Sequence, residues 1–367
     1  MSFVPFKIPT SGNVQERIGP KKDSPEVDLN AQELLIEYLA NNSDEYCRVR
    51  DLRKKGWENS QGDEYFEKQR QDADGADENK RRFFYNMMKT IALDLDLSTG
   101  ALTQGSLKTE RVLDMCAAPG GFIDQTVIMC HDITRVRAMS LPQEEGGHEM
   151  RLENKSVNVE FRDITMLAGD MGIAEQDIPD NFPERDRFIL GRVFQPDEKY
   201  DLVFCDGQVL RTQQRSEWRE RGEATRLQVT ELALGLEHLS TGGTMIILMH
   251  MLNTWRSFKF IHQFSQIADV SLYKHHRHHR FRSSFYLVAK NVQAESSYAK
   301  SLVKLWKEQY KIAAFGSEEE RVRMHWEDKE VAQGKIDEFG ADFVKMGYNI
   351  WKTQADGLEN APFIRGL

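Results

Sequence analysis

The chain has 367 residues, 40% of them hydrophobic and 29% charged, with a formal charge of −9. That length suits roughly two domains, or one enlarged domain, and is ample for a full buried core, which excludes a peptide-sized scaffold. The acidic balance excludes a general polyanion binder, so any nucleic-acid contact must come from a local basic patch.

The first residues, Met1-Ser-Phe-Val-Pro-Phe-Lys7, lack the charged-then-apolar pattern of a signal peptide. Residues 1–28, rich in proline and glycine, read as a disordered arm. Helical periodicity then begins. Leu34, Leu35, Tyr38 and Leu39 form one stripe and Phe83, Phe84, Met87, Met88 and Ile91 another, so 29–110 reads as a helical extension.

From 111 to 291 short β-rich runs alternate with helical runs, the pattern of a parallel α/β domain. Candidate strands are 111–115, 136–141, 157–161, 200–205, 243–250, 270–274 and 284–290. A helix with Val229, Leu232, Ala233, Leu236 and Leu239 on its apolar face is expected to end at Thr241-Gly242-Gly243. Residues 169–199, with prolines at 179, 183 and 196, read as an inserted surface loop. The longest apolar run, 245–252, is far too short to span a bilayer, so no membrane association is expected.

Residues 292–367 read as a helical C-terminal extension packed on the core, with Leu302, Leu305, Trp306, Tyr310, Phe339, Phe343, Met346 and Trp351 as its apolar positions. Cys47, Cys116, Cys130 and Cys205 show no CxxC pairing and read as reduced thiols of a cytoplasmic or nuclear protein.

The most informative stretch is Arg111-Val-Leu-Asp-Met-Cys-Ala-Ala-Pro-Gly-Gly-Phe122. It reads as a buried strand, a tight turn and a helix start, which together make a nucleotide-binding corner. Gly120 and Gly121 would let bare backbone approach a ligand, and the helix opening near Phe122 would point N–H groups at an anionic or carboxylate group. A second strand end, Tyr200-Asp-Leu-Val-Phe-Cys-Asp-Gly207, places Asp206 where such sheets carry their chemistry.

These residues resemble a family. Asp114-Met-Cys-Ala-Ala-Pro-Gly-Gly121 is similar to the first motif, D-L-G-A-A-P-G-G, of the FtsJ (RrmJ-like) S-adenosylmethionine-dependent methyltransferases. Phe161-Arg-Asp163 resembles the third motif, Asp206-Gly207 the fourth, and Arg282-Ser-Ser-Phe-Tyr-Leu-Val-Ala289 the last strand, in the family's order. Ser140-Leu-Pro-Gln-Glu-Glu-Gly-Gly147 and Cys205-Asp-Gly-Gln-Val-Leu-Arg211 look most like fungal members. The resemblance implies a doubly wound, Rossmann-like, seven-stranded α/β sheet that binds S-adenosyl-L-methionine.

It also implies roles. Pro119, Gly120 and Gly121 would shape the loop around the cofactor's methionine part, Asp114 would organise that loop, and Asp163 would accept from the adenine amino group. Ala117, Phe122, Leu141 and Asp206 complete the implied cofactor set. Ser140 stands where the family usually presents an acid to the ribose hydroxyls, with Glu144 or Glu145 as possible substitutes.

The family methylates ribose 2′-hydroxyls with a Lys-Asp-Lys-Glu set, because a sugar hydroxyl is a poor nucleophile until a base takes its proton. Here the resemblance puts the first lysine at Lys89, whose competing reading is a solvated helix face, and the aspartate at Asp206. The second lysine is missing, since Leu248, Met249, His250 or Met251 occupies its place, and Ser284 replaces the glutamate. His250 is either the substitute base or a packed histidine. The basic segments 211–226 and 274–282 are candidates for RNA contact, with a solvated charge run as the alternative. The rival reading of the histidines in 274–282, a metal site, is disfavoured by the interleaved Arg and Lys, and no metal is expected. Competing functions are a degenerate cofactor- or RNA-binding module and a methyltransferase acting on a small molecule.

Overall fold

The computed structural model describes residues 29–59, 67, 78–152, 154, 157–211 and 213–365. The arm expected over 1–28 lies outside the described residues. Seven strands, β1 (Arg111–Asp114), β2 (Arg135–Ser140), β3 (Asn158–Phe161), β4 (Tyr200–Cys205), β5 (Leu239–His250), β6 (Asp269–Tyr273) and β7 (Ser284–Val292), form one sheet in the order β3-β2-β1-β4-β5-β7-β6. The first five in that order are mutually parallel, and β7 runs antiparallel between β5 and β6.

The central strands are continuous apolar runs because both faces of the sheet are covered. Side chains alternate between the faces. Val112, Leu202, Phe204, Ile246, Leu248, Tyr286 and Val288 meet α3 (Glu78–Thr99) and α4 (Gly121–Met129) on one side. Leu113, Val203, Cys205, Met245, Ile247, Met249, Phe285 and Leu287 enter the larger core on the other.

That second side is covered by helices from both ends of the chain. The N-terminal helices α1 (Leu29–Asn42) and α2 (Asp44–Trp57) pack against the long α10 (Lys329–Glu359), where Arg48 pairs with Asp356 and Glu359, both at 2.7 Å. Between β4 and β5 lie the single turn α5 (Glu217–Glu220) and α6 (Glu223–Glu237), on which α8 (Ser297–Phe315) packs; α7 (Trp255–Ser265) follows β5. Two short helices, α9 (Glu318–Arg323) and α11 (Pro362–Arg365), complete the fold.

Two expectations are corrected. The helix before β5 stops at Glu237, and the strand starts at Leu239, so Gly242 is an irregularity inside β5, with φ of 87°, not a helix terminator. Residues 169–199 do lack long elements, but Met171, Ile173, Ile178, Phe188 and Phe194 are buried in the core, so this segment is a packed wall and not a surface loop.

Candidate functional site

The carboxyl ends of β1, β4 and β5 converge with the amino end of β7. Strand parity puts Asp114, Asp206, Leu248, His250, Ser284 and Tyr286 on the face covered by α3 and α4. Asp114 and Asp206 are almost wholly buried, and a third acid, Glu231 of α6, joins them. Asp114 Oδ1 accepts the N–H of Cys116 at 3.0 Å, and Glu231 Oε1 accepts the N–H of Gly207 at 2.9 Å. A Cβ at Gly207 would stand 2.6 Å from Cys116 Sγ and 2.8 Å from Glu231 Oε1, so any larger residue there would have to displace those side chains.

Burial pushes Asp206 up to about 7. It also pushes Glu231 up to about 8, with the Asp206 charge adding to the effect, and holds Asp114 well above the usual carboxylate range. Three buried acids that resist ionisation thus share one corner, where a positive charge would favour their ionised forms. Beside them, the hydroxyls of Tyr286 and Ser284 are buried and find no hydrogen-bond partner among the described residues.

The glycine turn divides its work in a way the sequence does not show. Gly120 caps α4 with φ of 99° and is covered by Leu152 and Met150 from the β2–β3 connection, while the N–H of Arg151 donates to the Pro119 carbonyl at 3.0 Å. Gly121 faces α3, where a Cβ would run into the Tyr85 carbonyl and lie 2.8 Å from Met88 Cβ. Its missing side chain therefore serves helix packing against α3. Phe122 is buried between Phe204 and Tyr286, with ring centroids 5.5 and 5.6 Å away.

A cavity of about 70 Å³ at this corner is lined in part by Ala118, Ser140, Leu141, Asp163, Asp206 and Gln208. Asp163 already has protein partners: Oδ1 accepts from the Thr165 N–H and hydroxyl, and Oδ2 lies 2.6 Å from Arg219 Nη2. Burial alone would raise its carboxyl, but the Arg219 charge and these hydrogen bonds outweigh that and hold it below its ordinary value.

Other sequence expectations are corrected by burial. Within 211–226, Arg219 and Arg226 are fully buried, bound to Asp163, Glu223 and Thr165, and Arg226 lies over the Trp218 ring at 4.6 Å. They clamp the domain and are not available to a phosphate backbone. Within 274–282, Lys274 is buried and donates to the carbonyls of Arg282 and Ser284 at 2.7 and 2.6 Å, whereas His276 and Arg277 are exposed.

Lys89 pairs with Asp124 of α4 at 2.8 Å, and Asp124 also accepts from the Tyr85 hydroxyl at 2.6 Å. His250 Nε2 lies 3.1 Å from Gln208 Oε1; burial, then Lys274 and Arg282, pull its ring down to about 4, so it is neutral at ordinary pH. The register pairs Leu248, two residues before His250, with Tyr286 and pairs Cys205 with Ile247, so Leu248 and Asp206 are the next positions along their adjacent chains. Sequence reasoning missed Glu231, Gln208 and the Met150–Leu152 strap. Only Glu231 left a signal, as a lone acid between Val229 and Leu232 on a helix with a buried stripe.

A seven-stranded sheet with one antiparallel strand, a glycine turn after β1 and acids at the ends of β1 and β4 defines a Rossmann-like methyltransferase. The chain belongs to the FtsJ-like methyltransferase family, whose family model matches residues 78–292. Its cofactor is S-adenosylmethionine. The buried carboxyls of Asp114 and Glu231 suit that molecule's charged end, and the Tyr286 hydroxyl is a spare donor nearby.

Among solved structures, the chain is similar to an O-methyltransferase family protein from Burkholderia thailandensis, at 11% identity over 61% of this chain and 63% of that one, with a TM-score of 0.32. The chain thus spans less than two thirds of that protein's resolved length. It is also similar to an rRNA methylase from Streptococcus thermophilus, at 10% identity over 54% and 96% of the two chains, TM-score 0.31. A third is the N-methyltransferase NodS from Bradyrhizobium japonicum in complex with S-adenosyl-L-homocysteine, at 14% identity over 59% and 93%, TM-score 0.33. No curated protein matches the chain. No described helix is long and apolar enough to cross a membrane.

Proposed function

We propose that the protein methylates a ribose 2′-hydroxyl of RNA and that Asp206 is the group that takes the acceptor's proton. The observation that carries this reading is the position of Asp206, a buried carboxyl that follows β4 and lines the cavity, where burial pushes it up to about 7. A general base works best when its pKa lies near the operating pH. With Leu248 in place of a lysine, Asp206 meets that condition better than His250, which is neutral but holds a proton weakly.

When bound, S-adenosylmethionine supplies an electrophilic methyl group on a sulfonium. Asp114, Glu231 and the backbone around Gly120 would hold its charged end, and Ser140, Leu141 and Asp163 would line the nucleoside end. Glu231 fixes the Gly207 amide and so holds the Asp206-Gly207 turn in place. The Gln208–His250 pair stands one rung further out and offers polar groups to an incoming sugar. Much of the rate would come from alignment of the acceptor oxygen, which can lower a barrier by roughly 7–11 kcal/mol.

The test is transfer of labelled methyl groups to total RNA, followed by nuclease digestion and nucleoside analysis. A 2′-O-methylated nucleoside that is absent with Asp206→Asn supports the reading. Cofactor binding by calorimetry without any transfer points to the second reading, a binding module, which the apolar Leu248 in place of a lysine favours. Transfer that survives ribonuclease treatment of the substrate pool overturns RNA as the acceptor.

A further inference from the structure

The loop between β6 and β7 reaches the start of α3 and builds there a row of flat rings among cations. Phe83, 56% exposed, stands edge-on to Phe84 at 5.9 Å and to His278 at 6.3 Å. His278 lies 4.7 Å from His275, which stacks on His276 at 4.8 Å with the planes 12° apart. Arg82 and Arg277 are exposed on either side, and Arg280 lies over the Phe281 ring. We propose that this face is a stacking platform for unpaired bases of a single-stranded RNA, guiding the strand toward the acids at the strand ends. The proposal rests on the RNA reading above and names the surface and the form of RNA it takes.

Three features support it. First, the loop is held in place. The Lys274 amino group ties the Arg282 and Ser284 carbonyls, the Met251 N–H donates to the Ser283 carbonyl at 3.1 Å, and His275 Nδ1 accepts the N–H groups of Arg277 and His278, both at 3.0 Å. That last arrangement leaves the hydrogen of a neutral His275 on Nε2, facing Asp94 at 3.9 Å, so the Asp94–His275–His276 group presents an N–H there and not a lone pair for a cation.

Second, two of the imidazoles, His275 and His278, are biased toward the neutral ring. Burial holds His275 at about 4, and burial with neighbouring Arg277 and His276 holds His278 below its ordinary value. Neutral flat rings stack on bases regardless of sequence, while the arginines attract the backbone. The acids nearby are already engaged: Asp94 accepts from the Tyr273 hydroxyl, and Glu78 and Glu149 pair with Arg151, Glu149 also with Arg81.

Third, the platform adjoins the reaction site. Its loop ends at Ser284, which pairs with His250 across β5 and β7, and Phe83 shares α3 with Lys89. A duplex hides the base faces that such rings read, whereas a single strand exposes them.

The test is fluorescence anisotropy with a short labelled single-stranded oligoribonucleotide and the matching duplex. The wild type is expected to prefer the single strand, Phe83→Ala to weaken that binding roughly tenfold or more, and Phe83→Trp to retain it. Arg277→Gln is expected to lower the slope of log affinity against log salt by about one. Phe83 is exposed, so thermal melting should confirm that these variants fold as the wild type does. Undiminished single-strand binding by Phe83→Ala overturns the platform and leaves the RNA reading standing. Failure of the wild type to bind either RNA overturns both.

Discussion

Leu152 covers Gly120. A Cβ placed on that glycine would stand 2.6 Å from Leu152 Cγ, and the neighbouring Arg151 N–H is bonded to the Pro119 carbonyl at 3.0 Å. The β2–β3 connection thus straps the turn that the family sequence motif devotes to its cofactor. The strap is anchored by Arg151 to Glu78, at the start of α3.

A ligand that needs the turn competes with that strap. Leu152→Ala should therefore bind S-adenosylmethionine several-fold more tightly than the wild type, measured by titration calorimetry. Weaker binding would make Leu152 part of the wall of the site. Gly120→Ala should lose binding and about 2 kcal/mol or more of stability, because it combines a clash with a left-handed backbone.

Asp206→Asn should reduce methyl transfer by roughly 10²–10⁴-fold. Because Asp206 must be ionised to accept a proton and its carboxyl lies at about 7, the wild-type rate should rise through that pH and level above it. A rate independent of pH between 6 and 8 would remove Asp206 as the base.

Glu231 gives a stability prediction with a definite sign. Its folded value of about 8 exceeds its ordinary 4.5, so the folded protein holds a proton that the unfolded chain releases between those pH values, and stability falls as pH rises through that window. Glu231→Gln keeps an acceptor for the Gly207 N–H and removes the titration. It should gain roughly 2–4 kcal/mol on the wild type between pH 4.5 and 8, with the gain levelling off above, as read by urea denaturation at several pH values. A gap that does not change with pH would show that Glu231 is ionised in the folded protein.

Arg219→Met leaves the buried Asp163 carboxylate without its cation and Glu223 with Arg226 alone, and should cost about 3 kcal/mol or more. Arg221→Met, which removes an exposed cation 3.6 Å from Glu318, should shift stability by less than about 1 kcal/mol. Equal effects in urea denaturation would contradict the difference in burial.

Much of the scaffold is legible in order. All seven strand positions read from β-rich runs are strands in the fold, within one or two residues except at the start of β5. That error came from Leu239, which fits the apolar stripe of α6 by spacing but is pulled into the sheet by pairing with Tyr200. Asp206 and Ser140, singled out in the sequence, line the cavity, whereas the adjacency of Gly120 and Gly121 hides that a side chain on one would meet the strap and on the other a helix.

What the sequence alone determined is the class of fold and the place of the glycine turn at the end of its first strand, because strand, turn and helix signals act over a few residues and a β-α alternation admits few topologies. What the tertiary structure alone decided is the state of the charges. Arg219 and Arg221 are two residues apart, yet one is sealed against Asp163, 56 positions away, and the other stands in solvent. Lys89 answers to Asp124, 35 positions on, and Asp206 owes its raised carboxyl to burial by the surrounding core. Burial and electric field at a side chain are set by neighbours in space, and those neighbours exist only once the chain has folded.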